Sequence, residues 1–362
     1  MDRSKWEYKP FEDCIEKSKK TKQLMTSDYQ PEGVYPIISQ EASLISGYTD
    51  DSDYVNHFER PVVIFGDHTR VLKYVDFDFA VGADGVKILI PHTNLDAKFL
   101  LSFLTWYKIP NLGYSRHYKL LKEISVPVPP ISDQQRIVAE SDCLNEMIAV
   151  KQEQLKEFDK LVQSIFYDMF GEGYNTKFLG EFCEVGTGAT PDRKKVAIYY
   201  GGNVNWVKTT EVHNCDIYET EERITDIALE QTNCKVYYPG AILMAMYGQG
   251  KTRGQVARLM TKAATNQACA AIIPDTRICD KDYLYIYLLL SYEKIRNMAR
   301  GGNQANLNLS LVKMIPVPLP PLALQQQFAE KIQAIESQKE LVKQCIAETQ
   351  ALLDYTMDKY FG

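Results

Sequence analysis

The block Pro127-Val128-Pro129-Pro130-Ile131-Ser132-Asp133-Gln134-Gln135 returns as Pro318-Leu319-Pro320-Pro321-Leu322-Ala323-Leu324-Gln325-Gln326, an offset of 191 residues. The two copies run in register without a gap to Phe170-Gly171 and to Phe361-Gly362. A duplication of this length, with dissimilar sequence ahead of each copy, divides the chain into segments 1–126, 127–176, 177–316 and 317–362.

Each copy predicts a long helix. Pro129-Pro130 fixes an extended entry, and Ser132 is placed to cap the first turn. No glycine or proline follows until Gly171, and apolar residues recur at intervals of seven. Ile148, Leu155, Val162 and Met169 form one line, and Ile137, Leu144, Phe158 and Ile165 the adjoining one. In the second copy Phe328, Ile335 and Val342 continue one line, and Ile346, Leu353 and Tyr360 form the other. About 38 helical residues span roughly 57 Å. Heptad segments commonly dimerise with a second chain. The in-register duplication favours instead an antiparallel pair within one chain, related by a pseudo-two-fold axis.

Segments 1–126 and 177–316 have mixed α/β texture. In the second, residues 204–208 and 241–246 read as strands and 283–299 as a helix; in the first, residues 61–66 and 98–107 stand in corresponding places. The expected fold is α/β (α+β), two globular domains alternating with two long helices that pair as an antiparallel coiled coil.

The chain carries 45% hydrophobic and 24% charged residues, with a net charge of −6. A negative total argues against an anionic partner, but its distribution does not. The two helical segments hold −7 together, segment 177–316 holds +3 and segment 1–126 holds −2. Basic residues concentrate at Lys17, Lys19, Lys20 and Lys22, and at Lys251, Arg253 and Arg258. The eight cysteines never form Cys-x-x-Cys, so they read as reduced thiols of a cytosolic protein. No stretch reaches the apolar length of a membrane span, and the first residues carry no signal-peptide core. A cytoplasmic location is expected.

Two variable α/β domains, each followed by a proline-bracketed Gln-Gln helix ending in Phe-Gly, resemble the specificity subunit of type I restriction-modification systems over essentially the full length. The run from Leu179 to Pro191, the run from Gly201 to Lys208, and Thr265-Asn266-Gln267-Ala268-Cys269 resemble that family's target-recognition domains. Tyr35-Pro36-Ile37-Ile38-Ser39 and the run from Phe79 to Gly85 do so in the first domain, which is shorter. The resemblance implies that each domain reads one half of a bipartite double-stranded DNA target, while the coil fixes the unread spacer. It also implies a non-catalytic chain that assembles with two methyltransferase subunits and with restriction subunits. S-adenosylmethionine, and ATP with Mg where restriction subunits are present, would be bound by those partners.

Reading requires exposed loops bearing forked or paired donors and acceptors that address base edges. In the second domain these are Lys208, Thr209 and Thr210; Tyr247, Gln249, Lys251, Thr252 and Arg253; and Asn303, Gln304 and Asn306. In the first domain they are His68, Thr69 and Arg70, then Tyr114, Ser115, Arg116 and His117.

Residues 245–252 lie one substitution from a phosphate-binding loop, but Arg253-Gly254-Gln255-Val256 reads as a turn between strands rather than the required helix. Neither a methyltransferase motif of the Asn-Pro-Pro-Tyr type nor a nucleophile elbow is present, and the five histidines have no paired ligand spacing. Two other readings stay open at this point: a homodimeric coiled-coil DNA-binding regulator and a nucleotide hydrolase.

Overall fold

In this computed structural model, residues 3–17, 21–113, 115–171, 173–248, 250–298 and 306–362 are described. The chain divides into two units, Met1–Gln154 with Val342–Gly362, and Leu155–Leu341. Each unit combines one α/β domain with parts of both long helices.

The long helices are Ile131–Phe170 and Leu322–Phe361, 40 residues each. Ser132 is not the cap. The carbonyl of Pro130 accepts the amides of Asp133 and Gln134, so the first helix starts two residues earlier than a Ser132 cap would place it, and the carbonyl of Pro321 accepts those of Leu324 and Gln325 in the same way. The helices pack antiparallel. In the first unit Tyr360 donates its hydroxyl to Glu140 at 2.6 Å; in the second, Lys339 donates to Asp159 at 2.8 Å. Ile137, Ile148, Val162, Phe328, Val342 and Leu353 are buried, and Leu144, Leu155, Phe158, Ile165, Ile335 and Ile346 are half-buried.

The first domain holds two sheets. Its antiparallel sheet runs in the order Ile15–Glu16, Val86–Pro91, Val62–Gly66, Leu72–Val75. The unbroken apolar run Val62-Val63-Ile64-Phe65 is buried throughout, as a central strand covered on both faces must be. In the second sheet Tyr35–Ile38 runs parallel to Phe79–Gly82 and antiparallel to Gly47–Thr49, and Val55–Asn56 pairs antiparallel with Phe79–Gly82.

The second domain repeats this plan. Cys183–Thr187, Cys269–Pro274, Ile242–Ala245 and Val256–Leu259 follow in the same order, with Cys215–Ile217 added in parallel at the edge. In its other sheet Tyr200–Val207 runs parallel to Ala263–Thr265 and antiparallel to Glu222–Ile224, while Val236–Tyr237 pairs antiparallel with Ala263–Thr265.

A helix capped by an aspartate follows the sheets in each domain: Ala97–Tyr107 with Asp96, and Lys281–Leu290 with Asp280. The helix expected over 283–299 is interrupted at Ser291 and resumes as Tyr292–Met298; residue 299 lies outside the described residues. A short antiparallel ribbon ties the start of each domain to the proline strand ahead of its long helix. Glu7–Pro10 pairs with Ser125–Val128, and Thr176–Phe178 with Pro316–Pro318.

The Phe-Gly ends seat on these capped helices. Phe361 packs on Phe99, Phe103 and Trp106 at 5.4 to 5.6 Å between ring centroids. Phe170 packs on Tyr283 at 5.3 Å and on Phe328 at 5.1 Å. Among the described residues no helix is long and apolar enough to cross a membrane.

Candidate nucleic-acid interface

Four backbone hydrogen bonds gather the loops at one end of each domain. In the first, Gly66 donates to Val71 at 2.8 Å and Arg70 to Gly66 at 2.7 Å, closing the hairpin. Asp67 then donates to Gly85 at 2.7 Å, and His117 to Asp67 at 2.8 Å. In the second domain Ala245 donates to Gln255 at 2.9 Å and Gly254 to Ala245 at 2.8 Å. Met246 donates to Ala268 at 2.8 Å, and Leu307 to Met246 at 3.0 Å. The positive φ of Arg70, 61°, recurs at Gly254 as 87°. Three loops therefore meet in each domain: the hairpin turn, the loop after a buried strand, and the segment ahead of a short helix.

The second hairpin is longer, and its extra residues carry the glycine-rich sequence. They lead into strand Val256–Leu259 and not into a helix, so the amide cradle of a phosphate-binding loop is absent there. Tyr292 donates its hydroxyl to the carbonyl of Lys251 at 2.6 Å, and Arg296 donates to the carbonyl of Gly250, which pins the backbone of the tip. Tyr247 and Lys251 are exposed, and Thr252 is half-buried. Arg253, expected as a reader, is nine-tenths buried, and its Nε finds no partner. It is buried and not displayed to solvent.

His117 is the clearest correction. It is fully buried, its Nδ1 2.9 Å from the carbonyl of Asp67, and its Nε2 accepts the amide of Leu112 at 3.0 Å. With Nε2 accepting, Nδ1 is the donor, and both ring nitrogens are spent inside the protein. The backbone places His117 where the other domain has buried Leu307, so this histidine is a core residue carrying its own hydrogen-bond partners. Arg70 is also diverted, donating to the carbonyl of Ile109 at 3.1 Å. Thr69 is exposed but donates its hydroxyl to the carbonyl of Gln40 at 2.6 Å. Arg116 is exposed, and His68 and Ser115 are half-buried. Tyr114, Gln249, Asn303 and Gln304 lie outside the described residues, while Asn306 is exposed.

Lys208, Thr209 and Thr210 adjoin the junction of the second domain. Asn266 donates its amide to Val207 at 3.0 Å, and its side-chain oxygen accepts from Thr209 Oγ1 and from the Ala268 amide, both at 3.1 Å. Thr190 donates to Gln267. Thr190, Asn266 and Gln267 thus belong to the same polar surface, although sequence reading placed them only in resemblance motifs. Lys208 is already paired, with Glu221 at 2.6 Å and Glu222 at 3.1 Å. Glu222 also holds Arg193 at 2.6 Å, and the Arg193 guanidinium lies over the rings of Tyr200 and Trp206. The hydrogen bonds to Glu221 and Glu222 raise the Lys208 ammonium above the ordinary lysine range, and the bond from Arg193 holds the Glu222 carboxyl below the usual one. Arg258, part of the basic concentration in the sequence, bridges Asp216 at 2.6 Å and Asp282 at 2.9 Å. It is a strut between sheet and helix.

Among the described residues no group of three or more histidine, cysteine or carboxylate side chains is arranged to hold a metal ion. Duplicated α/β domains with converging loops, carried on two long antiparallel helices, define a two-domain recognition scaffold. The chain belongs to the family of the type I restriction modification DNA specificity domain, which it matches over residues 3–157 and 171–351. It is a specificity subunit with two target-recognition domains.

The chain is 24% identical over 352 residues to the type I restriction enzyme EcoR124I/EcoR124II specificity subunit of Escherichia coli, covering 91% of this chain and 86% of that one. To the MjaVIII specificity subunit of Methanocaldococcus jannaschii it is 22% identical over 374 residues, covering 92% and 86%. The fold is shared with the S subunit of a type I restriction-modification system from M. genitalium, at a TM-score of 0.61 and 15% identity over 99% of this chain and 96% of that one. A chain solved in work on complex assembly and conformational transition of the type I R-M system matches at a TM-score of 0.61 and 17% identity, over 98% and 97%.

Proposed function

We propose that each target-recognition domain reads one half of a bipartite double-stranded DNA sequence, and that the paired long helices fix the length of the unread spacer. The observation that carries this reading is the repeated junction: the same four backbone hydrogen bonds bring three loops together in both domains. Two independent readers on one rigid framework give a target whose half-site separation is set by the protein. The chain itself is non-catalytic. Two methyltransferase subunits supply S-adenosylmethionine chemistry, and restriction subunits, where present, supply ATP hydrolysis with Mg. The acidic helical segments, −7 in total, suit protein partners better than DNA. Base methylation takes the target base out of the stack, and a subunit gripping the duplex on both sides positions that base.

The test is co-expression with a methyltransferase subunit, followed by sequencing of the methylated sites. A stable complex that marks an asymmetric bipartite sequence is the expected result. No complex, or a palindrome bound by the chain alone, contradicts the proposal.

A further inference from the structure

Lys73 lies on strand Leu72–Val75, and the alternation of that strand turns it inward. It is 5% exposed. A buried ammonium must find acceptors, and Lys73 Nζ donates to the carbonyls of Ser39 at 2.8 Å, Ser43 at 2.6 Å and Leu44 at 3.5 Å. All three belong to the loop joining Tyr35–Ile38 to Gly47–Thr49. The loop is closed at its base by Ser39 Oγ and Ser46 Oγ, 2.7 Å apart, and by the Ser46 amide donating to Ile37 at 2.9 Å.

Gln40 then locks the loop to the hairpin. Its side-chain oxygen accepts the amide of His68 at 3.2 Å, and its carbonyl accepts the Thr69 hydroxyl. The fit depends on two glycines. A Cβ on Gly66 would stand 2.9 Å from Gln40 Cβ, and one on Gly85, where φ is +90°, would stand 2.8 Å from Gln40 Oε1. Beyond this anchored base Glu41, Ala42, Ser43 and Leu44 are exposed.

The second domain shows what the loop corresponds to. Ile37 and Ile38 pair in parallel with Ala80 and Val81 as Trp206 and Val207 do with Ala264 and Thr265. Ser39 therefore follows its strand as Lys208 follows Val207. There the longer loop is held by strand Cys215–Ile217, paired along Val256–Leu259, and Ala257 stands where the first domain has Lys73. One lysine does in the shorter domain what an added strand does in the longer one.

We propose that residues 40–45 form a specificity-determining loop of the first target-recognition domain, held in its reading conformation by Lys73 as a positioning residue. This rests on the DNA-reading function proposed above and names where that domain reads. The tip offers an acceptor-only carboxylate, Glu41, and an apolar side chain, Leu44. These match the amino group of cytosine and the methyl group of thymine in the major groove. Recognition through a carboxylate is compatible with the net charge of −2 on segment 1–126.

The experiment maps methylated sites for the full complex carrying Lys73→Met and, separately, the surface pair Glu41→Gln with Leu44→Ala. Both variants are expected to relax discrimination by about tenfold or more at one or two positions of a single half-site, leaving the other half and the spacer unchanged. A merely structural role for Lys73 would lower methylation evenly at every site without altering the target, and that result overturns the proposal. So does an unaltered target in the surface pair, which decides the matter if Lys73→Met fails to fold. A wild-type complex that marks no bipartite target overturns the underlying function as well, which separates the two failures.

Discussion

Gln134 and Gln325 make the same three hydrogen bonds in two different units. Gln134 accepts the amide of Asp96 at 2.7 Å and donates to the carbonyls of Asn94 and Pro129 at 2.8 and 2.7 Å. Gln325 accepts the amide of Asp280 at 2.8 Å and donates to Ile278 and Pro320 at 3.1 and 2.8 Å. Both are fully buried, and each ties the first turn of a long helix to the cap of the domain's aromatic helix. Removing the amide leaves three backbone groups without their side-chain partner, at about 1–3 kcal/mol for each one that water cannot reach. Gln134→Ala and Gln325→Ala should each lose about 2–4 kcal/mol in urea unfolding. Hydrogen exchange should rise at residues 94–100 in the first variant and 278–284 in the second. Unchanged protection in both would deny the glutamines this role.

Arg258 connects the added edge strand to the aromatic helix of the second domain. Its guanidinium forks onto Asp216 at 2.6 and 2.8 Å, reaches Asp282 at 2.9 Å and lies 4.9 Å from the centroid of the Tyr285 ring. The side chains remain partly open to water, so Arg258→Met should cost about 1–3 kcal/mol, less than breaking a fully buried pair. Arg258→Lys should lose most of this too, because an ammonium cannot fork. Chemical denaturation of the three proteins is the check, and equal midpoints would contradict the strut.

The thiols should separate by reactivity. Burial pushes the thiol of Cys14 up to about 11, and those of Cys183 and Cys269 up to about 12, whereas Cys143 is exposed on the first long helix. Brief iodoacetamide treatment of the native protein at pH 8, read by peptide mass spectrometry, should label Cys143 and spare the other three. Early labelling of Cys183 or Cys269 would be inconsistent with their packing.

Glu221 and Glu222 pair with Lys208 and Arg193, and on the DNA-reading function proposed above these cations would otherwise be open to phosphates. Glu221→Gln with Glu222→Gln should free Lys208 and Arg193, strengthening association with non-specific duplex at low salt. The salt dependence should steepen by up to about two counterions. Fluorescence anisotropy across a salt series measures both quantities. Binding unchanged by the double substitution would place these cations away from the DNA.

The framework was legible because a duplication is a covalent fact, visible without knowing any contact. Gln134 and Gln325 stand out as repeated residues, and the seam from Ile137 to Ile165 has a period that only a helix uses. The candidate readers were less legible. His117 looks like a surface histidine because nothing in its neighbourhood reveals that the backbone carbonyl of Asp67, 50 residues away, accepts its hydrogen bond, or that its counterpart is Leu307. Lys73 was missed for the same reason. In an alternating strand a lysine reads as solvent-facing, and its acceptors lie about 30 residues upstream on a loop without a motif. Thr190 and Gln267 were visible as family-like sequence, but their adjacency depends on strands that pair across the sheet.

Exchange of residues 1–126 for the corresponding segment of another specificity subunit, followed by sequencing of methylated sites in the assembled complex, tests the central claim of two independent readers. The account predicts that one half of the bipartite target changes while the other half and the spacer stay as they were. A change in both halves, or an altered spacer, would contradict it.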